Sequence, residues 1–139
     1  MKKKININFG NYLKLIKKRK AFICGIKGTR LNKNEIQFLK KFKPWGVILF
    51  SRNIKSTSQT YNLTKSIKLL FNDKYYPILI DEEGIPVSRI KDIYNNTFSP
   101  KNLGKIYQKD KKKFNIMCNK YIHDISKILR SLGINFNTV

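Results

Sequence analysis

The segment WGVILFSRN, residues 45–53, is the clearest indication of the fold in this sequence. Its first six residues are apolar or glycine, and they include a valine and an isoleucine. A run of this length and composition predicts a strand that is buried on both faces, as the strands of parallel sheets are. Three polar residues follow directly in the sequence: Ser51, Arg52 and Asn53. The segment therefore predicts a buried strand with a polar carboxyl end.

Three further runs of this kind lie elsewhere in the chain, and each predicts another strand. They are AFICGIKG at residues 21–28, PILID at residues 77–81 and INFNTV at residues 134–139. The last of these is interpreted as the start of a fourth strand.

Amphipathic segments between these runs predict three helices, because their apolar residues recur at helical spacing. The helices cover residues 33–42, about 58–71 and about 109–132, and the region 84–107 is predicted to be loop-rich. Asn32 and Glu35 have the spacing of a capping box at the start of the first helix. Pro44 is expected to end that helix, and Gly133 is expected to terminate the last one.

The alternation of strands and helices predicts an α/β fold with a parallel sheet. The run GIKGT after the first strand has two glycines, but it lacks the third glycine and the later acid of a dinucleotide-binding fingerprint. A (β/α) barrel fits better, although a complete one has eight strands and about 250 residues. With 139 residues and four strands, the chain is predicted to be a partial TIM-like (β/α) barrel, about the first four strands only.

The chain is strongly basic, with 30 Lys and Arg against 8 Asp and Glu, a net charge of +22 and a pI of about 10.2. A hydrophobic fraction of 41% excludes a disordered chain. One interpretation of the charge is a surface for nucleic acid or an anionic membrane. The other is compositional bias, because Lys, Asn, Ile, Tyr and Phe are abundant throughout and alanine occurs only once. No helix concentrates arginine on one face, so we favour the bias and expect no specific nucleic-acid or membrane partner.

The two cysteines, Cys24 and Cys118, belong to no CxxC pair, and His123 is the single histidine. Zinc sites need more ligands at closer spacing. No metal site is therefore predicted, and the cysteines are interpreted as free thiols in a reducing compartment. The basic N-terminal residues lack the apolar stretch and cleavage site of a signal peptide, and no apolar run has the length of a membrane span. A cytoplasmic location is expected.

Acidic residues are concentrated after the third strand, where Asp81, Glu82 and Glu83 are three of only eight in the chain. In (β/α) barrels the carboxyl ends of the strands surround the active site. Apart from Ile26, the predicted strand ends here are polar or small: residues 25–29, 51–53 and 81–83, with Asn135 and Asn137. Adjacent buried acids need cations or a ligand, and Arg52 and Arg89 are the candidate partners. This arrangement suits a polyhydroxylated ligand; the alternative is a solvated strand end without function.

Five segments occur in an order and at distances that resemble a known family. They are GIKGTRL, PWGVILFSRNI, ILIDEEGIPVSRI, FSPKNLG and LRSLGINFN. From residue 21 to residue 139 the chain resembles the N-terminal region of glycoside hydrolase family 3, in its bacterial β-N-acetylhexosaminidase branch. The resemblance divides the chain into a basic N-terminal extension, residues 1–20, and the N-terminal part of a catalytic barrel, residues 21–139.

The resemblance implies a TIM-like barrel that hydrolyses terminal N-acetylglucosamine bonds with retention of configuration, without a cofactor or metal. In the bacterial branch it implies a cytoplasmic role in cell-wall (peptidoglycan) recycling. Members bind sugar hydroxyls with the aspartate that opens the Asp-x-Glu-Gly segment and with the arginine eight residues later, which match Asp81 and Arg89. The family has a second glycine where this chain has Ile85, followed by Pro86. The turn that carries Arg89 is therefore expected to differ in shape.

The catalytic residues of the family come from later in its barrel: a histidine in a Lys-His-Phe-Pro-Gly-His-like loop and a nucleophilic aspartate. Neither motif is in this sequence, and both are expected downstream of Val139. His123 is no substitute, because it lies in a predicted helix without a glycine-rich loop. The chain alone is expected to be inactive, with the missing C-terminal part of the barrel as a partner. The alternative is a non-catalytic sugar-binding or assembly remnant of the family.

Overall fold

A computed structural model describes residue 13 and residues 18–139. Within residues 18–139 the strands are β1 (Lys20–Gly25), β2 (Pro44–Leu49), β3 (Ile78–Ile80) and β4 (Phe136–Asn137). The helices of this range are α1 (Lys33–Phe42), α2 (Thr57–Leu70), α3 (Pro100–Lys109) and α4 (Lys111–Ser131), with a short 3-10 helix at Ser51–Asn53. The N-terminal extension expected at residues 1–20 lies outside the described residues, except for residues 13 and 18–20.

The four strands form one sheet in the order β1-β2-β3-β4, and each neighbouring pair is parallel. The predicted α/β fold with four parallel strands is therefore confirmed. Because all four strands run in the same direction, their carboxyl ends meet at one edge of the sheet. That edge is where (β/α) barrels carry their sites.

The helices cover one face of the sheet. Alternate residues of the two central strands point to this face and are completely buried: Val47, Leu49, Ile78 and Ile80. They belong to a single apolar core with residues of α1, α2 and α4. On the opposite face, Ile23 of β1 and Phe136 of β4 are each 45% exposed. A sheet with helices on one face and an open second face has the layering of a barrel wall.

The expectation of a loop-rich region at residues 84–107 is wrong from Pro100 onward, because α3 begins there. The hydroxyl of Ser99 accepts a hydrogen bond from the amide N–H of Asn102 at 3.4 Å and so caps the helix. Proline is favoured at the first helical position, where its missing N–H has no helical partner to lose. The helix was not predicted from the sequence because it contains Gly104, and glycine is a poor helix former.

Helix α1 ends just before Pro44, as the sequence predicts. The helix ends at Phe42, and Lys43 follows in the left-handed region with a φ of 48°. The amide N–H of Lys43 still donates to the carbonyl of Leu39 at 2.9 Å. Pro44 is then the first residue of β2, a position where the absence of an N–H is tolerated.

Gly133 terminates α4 as predicted, with a φ of +74°. Side chains of α2 form hydrogen bonds to this end of the helix. The hydroxyl of Thr64 donates to the carbonyl of Leu132 at 2.8 Å. The ammonium of Lys68 donates to the carbonyl of Gly133 at 2.6 Å, and partial burial lowers the pKa of that ammonium. Side chains of α2 therefore satisfy carbonyl groups that a helix end otherwise leaves without partners.

Replacing Asn32 by Ala is expected to lower the free energy of unfolding by about 0.5–2 kcal/mol, the usual effect of losing an N-cap. The predicted capping box is present: Asn32 Oδ1 accepts from the N–H of Glu35 at 2.9 Å, and Glu35 Oε2 accepts from the N–H of Asn32 at 2.9 Å. Urea denaturation followed by circular dichroism measures the change. Asn34→Ala is the matched control, because Asn34 is exposed in the same turn and its side chain bonds to no described residue. Equal losses in both variants would contradict the capping role.

Candidate functional site

The carboxyl edge of the sheet brings Asp81 and Thr138 together. Leu79 of β3 is paired with Phe136 of β4, so two residues further along each strand Asp81 lies beside Thr138. The hydroxyl oxygen of Thr138 is 3.2 Å from Asp81 Oδ1 and 3.1 Å from the carbonyl oxygen of Ile80. Because side chains alternate along a strand, Asp81 faces the side of the sheet that the helices leave open.

Arg89 returns to Asp81 from the following loop. Its Nη2 is 3.3 Å from Asp81 Oδ2, and its Nε–H donates to the backbone carbonyl of Asp81, also at 3.3 Å. The two side chains are 26% and 32% exposed, so the pair is open to a ligand while remaining ordered by its own contacts. The two residues that the sequence singled out therefore lie together at the strand ends.

Arg52 does not pair with the acids, contrary to the expectation from the sequence. Its Nε–H donates to the carbonyl of Ile26 at 3.1 Å, and its guanidinium carbon lies 4.7 Å from the centre of the Phe50 ring. The guanidinium of Arg89 lies 5.9 Å from the centre of the same ring. Both arginines therefore lie near the Phe50 ring at this edge. Of the two, only Arg89 forms an ion pair with an acid among the described residues.

The asparagines at the predicted strand ends bind backbone groups. Asn53 is fully buried and joins the end of β2 to the loop after β1, because its Nδ2 donates to the carbonyls of Ile26 and Gly28 at 3.1 and 2.8 Å. Asn135 Oδ1 accepts from the N–H of Ile78 at 2.7 Å. The expectation that Asn53 lines a ligand site is therefore wrong, because it is buried. Asn135 is exposed, but it binds the first residue of β3 and not the carboxyl end of that strand.

Glu82 is the buried member of the acidic cluster, with 1% exposure, and no local signal in the sequence marks its role. Its Oε2 accepts from the backbone N–H groups of Arg89 at 2.6 Å and Ile90 at 3.3 Å. Its Oε1 accepts from Asn96 Nδ2 at 2.8 Å. The carboxylate is thus paired entirely with neutral donors, so burial of this acid does not require a cation.

Glu83 and the turn after it complete the cluster. Glu83 is half-buried, and its carboxylate accepts no hydrogen bond from the described residues. Gly84 has a φ of +87°, which a glycine adopts without strain. The N–H of Ile85 donates to the carbonyl of Phe98 at 2.7 Å. The turn through Ile85 and Pro86 therefore still returns Arg89 to Asp81.

Other candidate groups lie apart from this edge. His123 is exposed on α4, in a helix as the sequence predicts. No group of three or more His, Cys, Asp and Glu side chains among the described residues is close enough to bind a metal ion. Burial raises the pKa of the Tyr121 hydroxyl, so this phenol stays neutral at physiological pH. The helices of the described part of the chain include none long and apolar enough to cross a membrane.

Known proteins similar to this chain are β-hexosaminidases. The β-hexosaminidase of Alkalilimnicola ehrlichii is 37% identical over 90 residues, which are 63% of this chain and 25% of that protein. The β-hexosaminidase of Nitrosospira multiformis is 29% identical over 117 residues, 83% of this chain and 33% of that protein. The chain thus spans about a quarter to a third of the length of the curated relatives it matches. No protein-family model matches it.

Solved structures show the same relationship. Native NagZ from Neisseria gonorrhoeae superposes with a TM-score of 0.79 and 27% identity, over 87% of this chain and 35% of that one. The same enzyme in complex with N-trifluoroacetyl-D-glucosamine is 32% identical with a TM-score of 0.60, over 66% and 27%. A glycoside hydrolase family 3 β-N-acetylglucosaminidase from Paenibacillus shares the fold, with a TM-score of 0.74 and 23% identity over 85% of this chain and 22% of that one.

Proposed function

This chain is a relative of the N-terminal region of the glycoside hydrolase family 3 β-hexosaminidases, and we propose that it supplies the substrate-holding part of such an enzyme. The resemblance of its sequence motifs to this family is confirmed by these relatives. The proposed reaction is the hydrolysis of terminal N-acetylglucosamine bonds with retention of configuration and without a cofactor.

The observation that carries the proposal is the open pair of Asp81 and Arg89 at the carboxyl edge of the sheet. A carboxylate accepts hydrogen bonds from sugar hydroxyls, and a guanidinium donates them. Arg89 uses its Nε and Nη2 for Asp81, which leaves further N–H donors for a ligand. The hydroxyl of Thr138 at 3.2 Å from Asp81 Oδ1 adds a third polar group. Such a set binds neighbouring hydroxyls of one sugar ring.

The same residues do not provide the chemistry of bond cleavage. A retaining glycosidase needs a nucleophile and an acid/base that flank the scissile bond. Within the described residues Glu82 is buried and its carboxylate accepts three hydrogen bonds, and Asp81 is bound to Arg89. We therefore propose that the catalytic residues belong to the part of the enzyme that corresponds to the remaining length of the relatives. A chromogenic N-acetylglucosaminide is expected to stay uncleaved by this chain alone.

A role in peptidoglycan recycling in the cytoplasm is part of the same proposal, together with completion of the barrel by a C-terminal part. The free thiols Cys24 and Cys118 suit a reducing compartment. The division at residue 20 also stays a proposal, and β1 already begins at Lys20. A non-catalytic sugar-binding remnant is the alternative function. The reading frame downstream of Val139 separates the two, because only an enzyme needs the histidine loop and the later aspartate.

Asp81→Ala is expected to weaken binding of N-acetylglucosamine roughly 10- to 100-fold, since hydrogen bonds to a charged group contribute about 1.5–3 kcal/mol. Isothermal titration calorimetry on this chain measures the affinity. Asp92→Ala is the matched control, because Asp92 is an exposed aspartate bound only to Lys55 among the described residues. Equal affinities of the Asp81→Ala variant and the unchanged chain would contradict the site.

A further inference from the structure

Glu82 lies between the sheet and the loop that carries Arg89. The backbone of Glu82 belongs to the sheet edge, because its N–H donates to Asn137 Oδ1 at 3.0 Å and its carbonyl accepts from Asn137 Nδ2 at 3.2 Å. Its side chain points the other way from Asp81, into the protein. There the carboxylate binds the backbone N–H groups of Arg89 and Ile90.

We propose that Glu82 is a positioning residue of the sugar site: its carboxylate fixes the backbone of Arg89 so that the guanidinium meets Asp81. This inference rests on the proposed function for its consequence in sugar binding. Its structural step, from Glu82 to Arg89, stands on the geometry of this chain.

The first argument is the place at which the carboxylate binds. The shortest of its hydrogen bonds, 2.6 Å, goes to the N–H of Arg89 itself. Ile90, the next residue, donates to the same oxygen and is completely buried. The Arg89 side chain therefore starts from an anchored backbone, and it reaches the carbonyl and the carboxylate of Asp81 at 3.3 Å from there.

The second argument is that the same carboxylate fixes the far end of the loop. Glu82 Oε1 accepts from Asn96 Nδ2 at 2.8 Å, and Asn96 Oδ1 accepts from the N–H of Phe98 at 3.0 Å. The carbonyl of Phe98 accepts from the N–H of Ile85, and the Phe98 ring stacks on Tyr121 of α4. The buried carboxylate of Glu82 thus binds both the middle of the loop between residues 83 and 98, at Arg89 and Ile90, and its far end, at Asn96.

The third argument is that the groups around Glu82 in this chain are all donors, which match a carboxylate. Glutamine has the same shape, but it presents one acceptor oxygen and one NH2 group. In the Glu82→Gln variant, with the amide oxygen toward Arg89, the new NH2 group faces the NH2 group of Asn96, donor against donor. Asn96 does not relieve this by turning its amide, because its oxygen is needed by Phe98. Glu82→Gln therefore tests the charge and acceptor pattern with little change of volume.

The experiment compares Glu82→Gln with Glu83→Gln in this chain. Glu83→Gln is the matched control, because the same substitution at the neighbouring position removes no hydrogen bond with a described residue. Two NMR observables do not depend on sugar: the backbone amide proton shift of Arg89 and the exchange rate of its Nε–H with water. A third measurement is the affinity for N-acetylglucosamine by calorimetry.

In Glu82→Gln, we expect the Arg89 amide proton to move upfield, its Nε–H exchange to accelerate at least tenfold and sugar affinity to fall about tenfold. Glu83→Gln is expected to leave all three unchanged. A folded Glu82→Gln variant with unchanged Arg89 signals would overturn the inference, whatever its affinity. If the unchanged chain binds no sugar, the proposed function fails, and the two NMR observables still decide the role of Glu82.

Asn96→Ala serves if Glu82→Gln does not fold. It removes one donor from Glu82 Oε1 and leaves the two backbone donors on Oε2. The carboxylate then loses the contact that orients it, so Nε–H exchange of Arg89 is expected to rise two- to fivefold. An unchanged exchange rate in the folded Asn96→Ala variant would overturn the inference.

Discussion

Replacing Arg19 by Ala is expected to lower the free energy of unfolding by about 3–5 kcal/mol, because it leaves a buried carboxylate without its cation. Arg19 forms an ion pair with Asp73, and the two side chains are 5% and 4% exposed. Asp73 also accepts a hydrogen bond from the N–H of Tyr75 at 2.8 Å. The Arg19 guanidinium lies 4.7 Å from the centre of the Tyr76 ring, so the substitution removes packing as well as charge.

Urea denaturation at neutral pH measures this effect, with Lys55→Ala as the matched control. Lys55 also forms an ion pair, with Asp92, but the side chains there are 60% and 35% exposed. Exposed pairs contribute little to stability, so the control is expected to unfold at nearly the same urea concentration as the unchanged chain. Similar midpoints for Arg19→Ala and Lys55→Ala would show that burial of the Arg19 pair has no energetic consequence.

Replacing Gly133 by Ala is expected to destabilise the protein by about 2–5 kcal/mol, from two sources. The φ of +74° costs an L-residue about 1–2 kcal/mol. The new Cβ would also overlap Thr64 Oγ1 and lie 3.1 Å from Thr64 Cβ. Relief of that overlap costs about 1–3 kcal/mol and displaces the hydroxyl that donates to the carbonyl of Leu132. The end of α4 would therefore separate from α2.

Gly104→Ala is the control of opposite sign for Gly133→Ala. A Cβ at Gly104, within α3, would meet no atom within 4 Å. Alanine in a helix interior is more stable than glycine by about 0.5–1 kcal/mol, so this variant is expected to melt at a higher temperature than the unchanged chain. Thermal unfolding of both variants gives the comparison. Loss of stability in Gly104→Ala, or none in Gly133→Ala, would contradict the assigned environments of the two glycines.

All four strands and every α-helix of residues 18–139 except α3 could be predicted from the sequence, because their signals are local. Hydrophobic periodicity distinguishes the buried strands from the amphipathic helices, and Asn32 and Glu35 form their predicted capping box. The parallel sheet follows from the alternation of these elements. Asp81 and Arg89 could also be named in advance, because the motif that resembles the family contains both. They are eight residues apart, so their approach needs only the turn between them.

Contacts between residues distant in sequence could not be predicted in this way. Arg19 and Asp73 are 54 residues apart, and Thr138 and Asp81 are 57 apart. The three adjacent acids look alike in the sequence, but the sheet sends Asp81 to its open face and Glu82 into the protein. Sequence alone thus determined the four strands, three of the helices and which polar residues follow the strands. The tertiary structure decided which of those residues are open to a ligand and which bind backbone, because that choice depends on the donors that the fold brings to each side chain.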